Sequence, residues 1–191
     1  MPPKCKFTRE EIRQTALDIA RNEGHASVTA RALGAKLGSS PKPIFSVFKN
    51  MEEVQAEVQK AAKALYAEYV QIGLQQTPAF KGVGTQYILF AMEEPKLFQL
   101  LFMSEQAQKP PVAGILPIID ESYAQILRSV QDGYGLSQRD AESLYRHLWI
   151  YTHGIAALCA TNTCSFTAEE ISSMMTEVFT ALLKEVKGGK K

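Results

Sequence analysis

The sequence predicts an all-α protein of about nine helices, and three observations predict it. Apolar residues recur three and four apart along every long segment. The alternation of a half-buried strand is nowhere present. Four N-cap signatures punctuate the chain: Thr8 with Glu11, Asn50 with Glu53, Ser137, and Thr167 with Glu170. At 191 residues the chain can fill one domain or two small ones. Its 46% hydrophobic and 21% charged content is that of an ordinary folded protein.

The elements follow in order. Thr8 and Glu11 form a capping box, flanked by a Phe7–Ile12 staple, and Ile12, Ala16, Ile19 and Ala20 give the buried stripe of a first helix that stops at Asn22–Gly24. A second helix spans about Thr29 to Leu37, with Ala32, Leu33 and Leu37 inward and Gly38 ending it. A third short helix occupies Pro41–Phe48. Its prolines fit if Ser40 is the N-cap, because Pro41 at N1 and Pro43 at N3 sit in the first turn, where backbone N–H groups have no intrahelical partner. A long helix from about Met51 to Gln75 is expected to connect two subdomains. Helices over Phe80–Glu93, Pro95–Ser104 and Ile115–Gln131 follow, with a break at Lys109–Pro111 and a turn at Asp132–Gly135. Ser137 opens a helix through about Ala160. The last helix carries Ile171, Met174, Met175, Val178, Phe179, Leu182 and Val186, and the KGGKK tail is expected to fray.

Charge divides the chain. Residues 1–50 hold nine Lys/Arg against four acids, net +5, whereas the remainder holds twelve against sixteen, net −4. A basic head on a mildly acidic body suits a polyanionic partner. The domains expected are therefore 1–50 and 51–191. The opening MPPKCKFTREE has no apolar run after its lysines, and no segment offers about 18 uninterrupted apolar residues. A cytoplasmic protein without a membrane partner is expected. Three cysteines (Cys5, Cys159, Cys164) without zinc spacing agree with a reducing compartment.

Three helices, the second and third short and joined by a tight turn at Gly38, make a helix-turn-helix candidate. In that motif the second helix of the pair presents its N-terminal residues to the major groove. Within "GSSPKPIFSVFKN" (Gly38–Asn50), Ile44 and Phe48 fall on the anchoring side. Lys42, Phe45, Ser46 and Lys49 are left outward, and Arg31 and Lys36 stand ready on the preceding helix. Pro43 offers an apolar face suited to a thymine methyl.

From Phe7 to Val54 the sequence resembles the DNA-binding head of the tetracycline-repressor family of bacterial transcription regulators. The resemblance rests on "ALDIARNEG", "VTARALGAKLG" and "SSPKPIFSVFKNMEEV", in order and without a gap. "LWIYTHGIAAL" (Leu148–Leu158) resembles the Trp/His-Gly signature of one C-terminal subclass. The resemblance implies a homodimer on a palindromic double-stranded operator, with C-terminal helices forming both dimer interface and effector pocket. The residues themselves show no metal-ligand spacing and no nucleophile–base–orienter arrangement, so no cofactor, no bound metal and no catalysis are expected. By position, the resemblance also bears on the head. It places DNA contacts on Thr29, Arg31, Ser39, Ser40, Lys42, Pro43, Phe45, Ser46 and Lys49. Three positions depart from the family: Phe45 stands for a usual tyrosine, Met51 for a frequent lysine and Pro43 for a frequent threonine. Lys4, Lys6, Arg9, Lys42 and Lys49 are then expected to carry more of the phosphate contact.

Other residues leave alternatives open. His147 and His153 lie six apart on one helix and cannot share a metal from one face. Cys159 and Cys164 are either a redox pair or a buried thiol and a loop thiol. Phe90, Phe98, Phe102, Met103, Tyr123, Trp149 and His153 either line a pocket for an apolar or aromatic small-molecule effector or are plain core. Two functions remain: a ligand-responsive regulator, expected to repress, or an all-helical small-molecule-binding protein or enzyme without a DNA role.

Overall fold

The computed structural model describes residues 6–105 and 109–188; Lys4, Cys5 and the last three residues of the KGGKK tail lie outside them. Among the described residues there are nine α-helices, three short 3₁₀ turns and no strand. The helices are α1 (Arg9–Glu23), α2 (Ala30–Lys36), α3 (Met51–Leu74), α4 (Ala79–Glu93), α5 (Pro95–Phe102), α6 (Leu116–Ile119), α7 (Tyr123–Tyr134), α8 (Gln138–Ala160) and α9 (Ala168–Gly188). None of them is long and apolar enough to cross a membrane. The chain divides into two compact units. The first is the described part of Met1–Leu65 with Glu94–Ser104; the second is Tyr66–Glu93 with the described part of Glu105–Lys191.

In the first unit the capping box forms as the spacing requires. Glu11 N–H donates to Thr8 Oγ1 at 3.1 Å, and Thr8 N–H donates back to Glu11 Oε2 at 2.7 Å. That second bond, with one from the Thr8 hydroxyl, holds the Glu11 carboxyl below its ordinary range. The α1 stripe Ile12, Ala16, Ile19 and Ala20 is buried with Leu33, Ile44 and Phe48. Helix α5 packs on α1, where Arg21 Nε donates to Glu94 Oε2 at 2.8 Å. The expected third helix differs. Lys42–Ser46 is one 3₁₀ turn without a side-chain cap, so Ser40 does not act as N-cap. With prolines at 41 and 43 and the chain needed again at Asn50, which caps α3 through Glu53 N–H at 2.9 Å, there is no room for i→i−4 bonds to propagate.

In the second unit α4 and α8 form the central pair, flanked by α7 and α9. Gly73 and Gly82 let the end of α3 and the start of α4 touch backbone to backbone: a Cβ on Gly73 would lie 2.7 Å from Val83 Cα, and one on Gly82 would strike the Gly73 carbonyl oxygen. The helix expected over Ile115–Gln131 is broken. It comprises α6 and α7, separated at Asp120, whose Oδ1 accepts Ser122 N–H at 2.8 Å and whose backbone is extended. That local carboxylate–backbone bond competes with the helical ladder and wins, as Asp favours. Helix α7 then runs on to Tyr134 through the turn expected at 132–135, and Gly135 closes it at φ +63°.

Candidate nucleic-acid interface and effector cavity

The helix-turn-helix candidate is built by close approach. Gly34 on α2 has no side chain because a Cβ there would meet Ser39 O at 2.9 Å and Pro41 N at 3.2 Å. Ser39 N–H donates to Gly34 O at 2.8 Å, and Gly38 takes φ +61° to make the turn. Behind the 3₁₀ turn, Ile44 (0% exposed) and Phe48 (2%) anchor it in the core. In front, Ser40, Lys42, Phe45, Ser46 and Lys49 are exposed, and Ser39 and Pro43 half-exposed. Phe45 is 45% exposed, an unusual place for a ring that size. Thr29 and Arg31 are exposed on the neighbouring α2 end, where Thr29 Oγ1 also accepts Ala32 N–H at 3.2 Å as the α2 cap.

Two basic residues are committed elsewhere. Arg9 reaches Glu53 at 2.9 Å, Glu57 at 3.0 Å and Val47 O at 3.2 Å, with its guanidinium 4.2 Å from the Phe48 ring centroid. It braces the turn onto α3, so the phosphate role expected for it does not fit this geometry. Lys36 faces Glu23 at 3.9 Å. Lys6 donates to Ser39 Oγ at 3.2 Å, close to the Lys42–Ser46 turn in sequence.

The second unit contains a cavity of about 350 Å³, within the range of small-molecule sites. Its walls come from Tyr66 on α3, Phe80 and Tyr87 on α4, Tyr134 on α7, Tyr145, Trp149 and Thr152 on α8, and Met175 and Phe179 on α9, together with Asp120. Burial raises the Tyr66, Tyr87 and Tyr145 phenols above their ordinary value, and the Asp120 charge adds to each. Tyr66 donates its hydroxyl to Asp120 Oδ2 at 2.9 Å. Among the described residues the Trp149 indole N–H, shielded from solvent, has no partner in hydrogen-bonding geometry, yet it lies near enough to Tyr87 to offset part of that phenol's rise.

Of the residues that the sequence put forward for a pocket, Trp149 lines this cavity. His153 and Tyr123 stand one layer behind it. His153 Nδ1 lies 2.9 Å from the Tyr87 hydroxyl, and Tyr123 stacks on Tyr145 at 6.0 Å between centroids. Phe90 is core, its ring 5.4 Å from that of Tyr66. Phe98, Phe102 and Met103 belong to the first unit, where the α5 segment packs on α1, and they do not line the cavity. Sequence reasoning missed Asp120, Tyr66, Tyr145 and Phe179. Asp120 was hidden inside an assumed continuous helix, Phe179 read as a member of the last helix's apolar stripe, and Tyr66 and Tyr145 carried no local signal of their own. Cys159 is half-buried with its thiol pushed up by burial, while Cys164 is exposed beyond the end of α8.

A family model described as the tetracyclin repressor-like C-terminal domain matches residues 80–186, more than half of the chain. The chain belongs to the tetracycline repressor-like family. The matched stretch contains α7 and α8 and most of α4 and α9, and these helices of the tetracycline repressor-like domain supply most of the cavity wall. A search of curated proteins finds no match. The chain is accordingly a regulator of the tetracycline repressor-like kind.

Proposed function

We propose that the chain is a ligand-responsive bacterial transcriptional regulator, a repressor that holds a palindromic operator as a homodimer and is released by a small-molecule effector. The supporting observation is the reading turn at Lys42–Ser46, which is anchored by Ile44 and Phe48 and turns Lys42, Phe45 and Ser46 to solvent within a net +5 head. Polar and basic groups on a rigid mount are what groove binding requires. Residues 1–50 act as the DNA-binding domain and 51–191 as the effector-binding and dimerisation domain. Support for the homodimer comes from α9, in which Ile171 is the one buried residue over 21, and from Ile150 and Leu158 exposed on α8. An effector that prefers the conformation unable to hold DNA lowers operator affinity by the ratio of its affinities for the two states.

Gel shift on DNA from the region upstream of the protein's own coding sequence tests this reading. A sequence-specific shift that weakens with salt is expected. No specific shift at any salt concentration would instead support a small-molecule-binding protein or enzyme without a DNA role.

A further inference from the structure

The cavity holds one charge without a counter-charge. Asp120 is 7% exposed and lines it. Among the described residues its carboxylate accepts two hydrogen bonds, from Tyr66 Oη and Ser122 N–H, and makes no ion pair. A carboxylate has about four lone-pair sites, so roughly half of its acceptor capacity remains open. The one basic residue of the lining, Lys81, is solvent-exposed, and its ammonium donates to Ser172 Oγ at 3.4 Å. The same cavity is lined by the aromatic rings of Tyr66, Tyr87, Tyr145 and Trp149, and the Asp120 charge acts on the three phenols. A ring face attracts a cation, whereas an anion entering here meets both Asp120 and the negative ring faces.

We infer that the effector is a lipophilic organic cation, an aromatic or alkyl ammonium whose charge lies beside Asp120 within the aromatic wall. The inference rests on the reading of this cavity as the effector site and names the chemistry that site selects. A neutral aromatic molecule fills the same volume but leaves the buried carboxylate uncompensated, which is costly in a low-dielectric site. Burial raises the Asp120 carboxyl from its ordinary value, in keeping with a charge lacking its partner.

Trp149 is the single tryptophan of the chain, so intrinsic fluorescence reports on this cavity. The test titrates the full chain with three probes of one skeleton: benzyltrimethylammonium, its neutral isostere neopentylbenzene up to its solubility, and the anion benzylphosphonate. The cation is expected to bind about tenfold tighter than the hydrocarbon, and the anion weakest. In Asp120→Asn, whose amide oxygen still accepts from Ser122, the preference for the cation is expected to vanish while hydrocarbon binding persists. Equal or tighter binding of the neutral or anionic probe to the unaltered chain overturns the cation assignment and leaves the cavity an effector site. A cation preference that survives in Asp120→Asn also overturns it. Binding of none of the three overturns it and counts against the effector reading as well. Whether the cation is preferred at all is read on the unaltered chain, so that result can overturn the assignment whether or not the variant folds.

Discussion

At the scale of single residues, the head depends on atoms that are absent as much as on those present. Gly34 is the sharpest case, since the atoms nearest a Cβ there are backbone atoms of Ser39, Ser40 and Pro41, which cannot swing aside. Gly34→Ala is expected to cost about 1–3 kcal/mol despite the better helix propensity of alanine. Urea denaturation checks this as a lower midpoint with an unchanged slope. His25, half-buried in the turn after α1 with Nδ1 unpartnered among the described residues, is held below its ordinary pKa by burial. A base depressed in the folded state takes its proton first in the unfolded one, so its contribution is present above its unfolded value and is lost as pH falls through the folded one. His25→Gln is therefore expected to lose less stability than the unaltered chain between about pH 7.5 and about pH 5.5. Equal losses would show that His25 is not a source of the pH dependence.

At the scale of elements, two basic residues of one head have different duties. Arg9 ties α1 to the start of α3 through Glu53 and Glu57, while Lys42 lies at the exposed edge of the reading turn. Lys42→Ala is expected to lower the slope of log affinity against log salt by about one phosphate contact. Arg9→Ala is expected to destabilise the head and leave that slope unchanged; salt-series gel shifts separate the two. The capping boxes of α1 and α9 were readable because their partners lie three residues apart, and Thr167 and Glu170 form theirs at 2.8 and 3.1 Å. The break at Asp120 was not readable. Its cause is one side chain choosing Ser122 N–H and the distant Tyr66 hydroxyl over a helix that the apolar spacing equally allowed.

At the scale of the whole molecule, the exposed apolar residues on α8 and the thin burial of α9 bear on assembly. Ile150 (48% exposed) and Leu158 (39%) share a helix face two turns apart with Gly154 between them. Ile150→Glu is expected to turn a dimer into a folded monomer and to weaken operator binding, since half-sites are then engaged singly. Light scattering with the helical signal retained checks it; an unchanged mass would place the interface elsewhere.

What the sequence alone determined is local: the all-helical class, the caps of α1, α3, α8 and α9, the basic head and the anchoring of the turn at Lys42–Ser46. Each depends on partners within a turn or two, which spacing encodes directly. Only the tertiary structure decided which aromatic residues meet in a cavity, that Pro95–Phe102 joins the first unit rather than that cavity, and that Arg9 pairs with Glu53 and Glu57 of α3. Those outcomes depend on contacts between residues from 44 to more than 70 positions apart, such as Arg9 with Glu53 and Arg21 with Glu94. A helical stripe specifies that a face is buried; it does not specify what it is buried against.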